Sequence, residues 1–356
     1  MPNLINVSKI DFEHTLSQKD LKPYARNLFA EVFKEVDKLI DVFDNTQIKT
    51  RNFCVPVEFF LENKSFEEKN NIYIQTALDK SIEAIEKCLY ESGIEKSRVT
   101  DMVFISTTGL ATPSLDALII NKMRLSQYIN RTPIWGLGCA GGVSGIAKAF
   151  TAAKANPEAI ILVIAVELCS LTFIRNDLSK SNFVATSLFS DGVSAGIIAG
   201  DEALKEIKTK HKISYVSSQS RLYYDALDVM GWDFVPSGFK VVFSKDIPTI
   251  VNKSVKEDVE RFLAKENLKI SDIKNFIFHP GGAKVIDAYT EALGLERGDL
   301  GFTRDVLENF GNMSSVTVFY VMEKFIREGF KNGLGLMLSL GPGFSSEMVL
   351  LDMREV

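Results

Sequence analysis

The chain of 356 residues is constrained most by a repeat in its own numbering. Ser106 closes the β-rich run "VFIS" and stands 33 residues before Cys139; His279 closes "FIFH" and stands 33 residues before Asn312. A helical stretch follows each of the later positions and leads to an apolar strand, about 21 residues after Cys139 and about 22 after Asn312. A chain that twice repeats strand, turn, helix and strand is expected to fold as two similar halves, over residues 1–210 and 211–356, with no low-complexity linker between them. The repeat places Cys139 and Asn312 at matching helix starts and His279 at the end of a matching strand.

The stretch "WGLGCAGGVSGIAK" around Cys139 has too much glycine for a good helix start, which points to a backbone that must pass close to another. Helix starts carry unpaired N–H groups and the positive end of the macrodipole, so a thiol there is biased toward thiolate. Two such starts facing one spot would unite a thiolate, an imidazole and a carboxamide. These are a nucleophile, a base or donor, and a neutral hydrogen-bond donor.

The rest of the sequence reads as alternating helix and strand, an α/β protein. Amphipathic spacing runs through "DLKPYARNLFAEVFKEVDKLIDVFDN" and "EEKNNIYIQTALDKSIEAIEKCLYESG", and strands are expected at "DMVFIST", "AIILVIAVEL", "GVSAGIIAG", "KISYVSSQSRLYY", "FKVVFS" and "GLGLMLSL". A net charge of −5 argues against nucleic acid as the main partner. The longest apolar run, "AIILVIAV", stops at Glu167, far short of the ~20 residues of a membrane span. No signal-like segment opens the chain, so the expectation is a cytoplasmic protein without stable membrane insertion. Cys54, Cys88, Cys139 and Cys169 lack metal-ligand spacing, and three histidines give no zinc set.

In their order and spacing, "WGLGCAGGVSG", "FIFHPGGAKVIDAY", "FGNMSS" and "LGPGFSSEMVLL" resemble the type III polyketide synthases of the chalcone synthase superfamily. The likeness extends from "QIKTR" through "TGLATPS" and "TSLFSDG" to the last strand, and "WGLGCAGG" and "MGWDF" are most similar to bacterial alkylpyrone synthases of bacilli. The resemblance implies a duplicated thiolase-like αβαβα fold, a homodimer, a Cys139–His279–Asn312 triad, CoA thioesters as small-molecule partners, and no metal or organic cofactor. It implies an acyltransferase in which Cys139, kept ionised by His279, takes an acyl starter from CoA. Asn312 and His279 would hold the enolate left when malonyl-CoA loses carbon dioxide.

By the same resemblance, Phe189 matches an aromatic gatekeeper and Val241 stands where a second gatekeeper is usually Phe, which opens volume for a long flexible starter. Thr172 matches a cavity-shaping position, Thr107, Thr108 and Ser314 match positions that influence cyclisation, and Thr112 matches the residue that reaches into a partner's cavity. Gly341, Pro342 and Gly343 are expected to wall the cavity. For CoA, Lys38 matches a basic position and Asp41 and Asn45 replace others, with Lys49 and Arg51 as compensating cations. The product expected is an alkylpyrone from a long-chain fatty acyl-CoA and two or three malonyl-CoA units; resorcinol closure is the near alternative. Rival expectations are an initiating ketoacyl synthase acting on acyl carrier protein, a hydroxymethylglutaryl-CoA synthase, for which no catalytic carboxylate can be placed, and a silent partner subunit.

Overall fold

Every residue from Ile160 to Leu168 and from Asp191 to Ala199 is buried, the pattern of strands covered on both faces. The computed structural model describes residues 1–30, 36–244 and 247–356, with side chains from residue 40 onward in the helix that starts at Val36. The first half comprises β1 (Asn3–Lys9), β2 (His14–Ser17), α1 (Gln18–Phe29), α2 (Val36–Asn45), β3 (Thr50–Phe53), α3 (Phe66–Ser92), β4 (Asp101–Ile105), α4 (Leu115–Met123), β5 (Asn130–Ile134), α5 (Gly141–Ala155), β6 (Ile160–Leu168), α6 (Lys180–Leu188) and β7 (Asp191–Ala199). The second comprises β8 (His211–Leu222), β9 (Met230–Val235), β10 (Gly238–Phe243), α7 (Ile247–Lys265), β11 (Ile273–Phe278), α8 (Ala283–Leu293), α9 (Gly301–Phe310), α10 (Thr317–Glu328), β12 (Gly333–Gly341) and β13 (Ser345–Glu355).

The strands run β11-β12-β13-β8-β1-β7-β6-β4-β5 in one sheet. In the first half β4 is parallel to β6, and β6, β7 and β1 continue antiparallel. In the second, β11 is parallel to β12, and β12, β13 and β8 continue antiparallel. The two series meet where β1 pairs with β8, so the repeat in the sequence is a repeat in topology.

Three apolar cores make the layering. One joins α3 and α4 to the outer face of the first half, through Ile85, Leu89 and Ile119. Another joins α7 and α8 to the second half, through Val259, Phe262 and Tyr289. The largest lies between the halves and is built on α5 and α10, with Val143, Ile146, Phe150, Phe319 and Met322 all buried. The result is α/β/α/β/α, the duplicated thiolase-like arrangement. Local chemistry fixes the ends: α3 begins with a reciprocal Ser65–Glu68 capping box and stops at Gly93, whose φ of 65° suits a left-handed cap.

The glycines beside Cys139 owe their place to the central layer. A Cβ on Gly142 would lie 2.2 Å from the Ser315 carbonyl oxygen, because the starts of α5 and α10 cross at backbone contact. Gly138 has φ 46° and faces Pro342, whose Cδ would be 2.7 Å from an added Cβ. Sequence periodicity does not reveal β1, which enters the middle of the sheet, nor β9 and α6, which flank the aromatic region described below. The long amphipathic stretch near the N-terminus is two helices, α1 and α2, in the described residues.

We expect Gly142→Ala to destabilise the protein by at least ~1–3 kcal/mol, the usual range for overpacking. Gly298→Ala, which meets only open space, is the control. Urea unfolding of both variants tests the difference.

Candidate active site

Cys139 sits in a 3-10 turn, Gly138–Ala140, that leads directly into α5. Asn312 lies two residues before the equivalent turn, Ser314–Val316, that leads into α10. His279 follows β11, its N–H bonded to the Leu338 carbonyl at 2.8 Å. All three line one cavity of about 330 Å³. Thus the side chains that the repeat singles out converge.

Their hydrogen bonds differ from a resting thiolate–imidazolium pair. The Cys139 thiol donates to the Ser314 hydroxyl at 3.6 Å. Both ring nitrogens of His279 are buried without a partner. Burial pushes the Cys139 thiol up to about 12 and the His279 imidazole down to about 3, so enclosure outweighs the helix start and favours neutral forms in the empty site. Burial thus works against the thiolate that the helix start favours. Ser314 holds a φ of 50°, a left-handed backbone that a non-glycine residue takes up under constraint, and this bend brings its hydroxyl to the sulfur.

Asn312 is fixed at every polar atom. Its Nδ2 donates to the Gly281 carbonyl at 3.0 Å, its Oδ1 accepts from the Ser314 N–H at 2.8 Å, and its backbone pairs with Leu188 and Ser190. One amide hydrogen remains for a ligand.

Below the cysteine lies Glu167, which the sequence reading used only as the end of an apolar run. Its Oε2 accepts from the N–H groups of Thr107 and Thr108 at 3.0 and 3.1 Å and from the Thr108 hydroxyl at 2.9 Å. Its Oε1 accepts from Ser315 at 2.6 Å. The Thr107 hydroxyl in turn accepts from the Gly138 N–H at 3.1 Å. Thr107 and Thr108 thus lie beneath the nucleophile and line neither cavity of this region, and the carboxylate ties the first-half loop to the start of α10. The legible signal was a carboxylate closing a fully buried strand.

Phe189 ends α6 and separates two spaces. On one side is the cavity of Cys139, which Phe243 lines; on the other is a narrow recess of about 80 Å³ lined by Phe189, Thr172, Val241, Trp232 and the apolar side of α1. The rings of Phe189 and Phe243 are 5.6 Å apart, so Phe243, not residue 241, supplies the second aromatic. Val241 borders the recess together with its cross-strand neighbour Trp232, whose ring stands 5.9 Å from that of Phe189. The turn Gly341–Gly343 is also displaced from its expected role: Leu340 reaches the cavity wall, whereas Gly341 and Pro342 pack behind the Cys139 turn. Thr112 is exposed on the loop before α4 and lines neither space.

The expected CoA cations redistribute. The Lys38 side chain lies outside the described residues. Lys49 is paired with Glu308 and lines a different groove. Arg51 is buried, donating to Gln18 and to the carbonyls of Thr186 and Phe189, and burial lowers it to about 9; it braces the gate. Lys284, which the sequence reading passed over, stands at the cavity rim beside Pro248, and Lys253 lies in the adjoining groove. Neither has an ion-pair partner among the described residues, although Asp287 and Glu291 share that groove. Among the described residues no helix is long and apolar enough to cross a membrane.

Burial raises the Glu167 carboxyl to about 7, against about 4.5 when unfolded. The folded state therefore holds its proton longer, and this residue's contribution to stability is present at low pH and lost as pH rises through that window. The stability of Glu167→Gln relative to the unsubstituted protein should accordingly rise between pH 4.5 and 7 and then level off, as urea midpoints across that range will show.

Comparison with known proteins agrees with this architecture. Residues 4–202 match the family described as chalcone and stilbene synthases, N-terminal domain, and residues 216–354 its C-terminal domain. A Bacillus subtilis (strain 168) protein named "Putative chalcone synthase" is 46% identical over 347 residues, 95% of each chain. The 1,3,6,8-tetrahydroxynaphthalene synthase of Streptomyces peucetius subsp. caesius is 32% identical over 95% of this chain and 89% of its own. The crystal structure of the corresponding synthase from Streptomyces coelicolor A3(2), a bacterial type III polyketide synthase, superposes with a TM-score of 0.93 at 26% identity, covering 99% of this chain and 100% of that one. Two family matches that together span nearly the whole chain, on a duplicated fold whose repeat converges on one cysteine, make this protein a member of the chalcone and stilbene synthase family, an acyltransferase of the type III polyketide synthases.

Proposed function

We propose that this synthase loads a long-chain fatty acyl group from CoA, extends it with two or three malonyl-CoA units, and releases alkylpyrones by lactonisation. The observation that supports this reading is the apolar recess beyond Phe189, where Leu21, Ala25, Leu28, Phe53 and Phe60 offer an alkyl chain a dry wall. The pyrone ring follows from the likeness of "WGLGCAGG" and "MGWDF" to alkylpyrone synthases.

Cys139 and His279 act as a proton-sharing pair. As the thioester carbonyl arrives, the sulfur's proton passes to the imidazole and the sulfur attacks; the tetrahedral intermediate collapses, and the imidazolium protonates the departing CoA thiolate. Malonyl-CoA then binds in the same cavity. Loss of carbon dioxide leaves an enolate whose oxygen takes hydrogen bonds from His279 and the remaining Asn312 amide hydrogen, and donors of this kind are typically worth ~2.7–4 kcal/mol each. The enolate carbon attacks the acyl group on Cys139, and the sulfur leaves. Release occurs when an enol oxygen of the finished chain attacks its own thioester carbonyl and expels the thiol.

Lys284 and Lys253 take the place proposed for Lys49 and Arg51 and receive the phosphates of CoA at the rim. The working assembly is a homodimer in which the exposed Thr112 loop meets the partner.

With starters from C8 to C18 and malonyl-CoA, products read by mass spectrometry should be pyrones that keep the terminal carboxyl carbon. Use of aromatic starters alone would overturn the reading. Ala25→Phe should shift preference toward the shorter starters by narrowing the recess. Lys284→Glu should raise KM for malonyl-CoA about tenfold, equivalent to ~1.4 kcal/mol, while leaving KM for malonyl-N-acetylcysteamine, which has no phosphates, unchanged.

A further inference from the structure

Buried polar atoms in folded proteins nearly always find partners, and one left alone calls for an explanation. In the Cys139 cavity two side chains lack them. One is His279, at both ring nitrogens; the other is Tyr289, whose hydroxyl is fully enclosed and unbonded. Tyr289 lies on α8, two turns after the His279–Gly282 loop, and its ring packs edge-on against Phe278, the residue before His279, at 5.3 Å. It is 0% exposed and belongs to the apolar core under the second half. Phenylalanine would fill this place without stranding a hydroxyl, and an unpaired buried group typically costs ~1–3 kcal/mol. Burial, with a smaller contribution from Cys139, raises the phenol above its usual range, which favours the protonated, hydrogen-bond-donating form.

The oxygens that reach this cavity come with substrate. His279 and Asn312 are already assigned to the enolate oxygen of the extender. The acyl group carried on Cys139 brings another, which becomes an oxyanion when the enolate attacks. We propose that Tyr289 donates a hydrogen bond to the carbonyl oxygen of the acyl group on Cys139 and stabilises the oxyanion formed there during condensation. No proton leaves Tyr289; the hydroxyl is satisfied by the acyl oxygen and unsatisfied in the empty enzyme. This inference rests on the polyketide synthase reading above.

Tyr289→Phe separates this role from a structural one. Removing an unpartnered hydroxyl leaves the fold as stable or more so, whereas the rate of condensation should fall by tenfold to a thousandfold, a loss of donor strength of the size seen in oxyanion sites. Decarboxylation of malonyl-CoA by Cys139→Ala protein, which carries no acyl group and no carbonyl on the side chain of residue 139, should run equally fast with and without Tyr289→Phe. Single-turnover transfer from a preformed acyl enzyme reads the condensation step directly. Unchanged condensation in Tyr289→Phe overturns the proposal, as does an equal loss of decarboxylation, which would move the hydroxyl to the enolate. Should Tyr289→Phe fold poorly, 3,5-difluorotyrosine at 289 keeps the shape and strengthens the donor; a condensation rate insensitive to that change overturns the proposal too. Absence of any condensation by the unsubstituted protein would instead refute the synthase reading itself.

Discussion

The contact on which the site depends is the crossing of two helix starts at the centre of the molecule. With Gly142 against the Ser315 carbonyl, the turns before α5 and α10 meet at backbone contact, and this crossing together with the bend at Ser314 sets the thiol of Cys139 beside the hydroxyl of Ser314. Glu167 locks the crossing from below, since one of its oxygens gathers the Thr107–Thr108 loop and the other holds Ser315. A buried carboxyl group that gathers four donors ties these segments together by hydrogen bonds that enclosure strengthens. Packing and electrostatics therefore act on the same few residues, which explains why glycine and serine crowd this part of the sequence.

Enclosure has a second effect. It pushes the thiol up and the imidazole down, toward their neutral forms and against the bias of the helix start. On the mechanism proposed above, charge separates as the thioester carbonyl accepts the electrons of sulfur.

How much of this was legible in the chain can be judged residue by residue. The 33-residue spacings marked Cys139, His279 and Asn312 because duplication leaves a trace in numbering that survives divergence of side chains. The partition between cavity and recess was only half legible: Phe189 was visible, but its partner ring sits at Phe243, since register within the β9–β10 hairpin, not linear correspondence, decides which side chain meets it. Arg51 read as a surface cation because sequence gives charge without depth, and only the fold shows its guanidinium turned inward onto carbonyls. β1 escaped notice because a strand of seven residues with Asn at two positions has no clear alternation, although in the sheet all but its last residue are buried.

The backbone of Phe189 is held on both sides. Its carbonyl accepts from Arg51 at 2.9 Å, and it forms an isolated parallel bridge with Asn312. A gate hinged through its main chain would pull the Asn312 amide with it each time it moved, so the donor of the enolate would be lost whenever a chain passed. Rotation of the ring about its own side-chain bonds would leave these backbone contacts intact. Such rotation, against Phe243 and Trp232, belongs to a faster class of motion than the opening of a loop, so the threading proposed above would leave the main chain as a rigid frame.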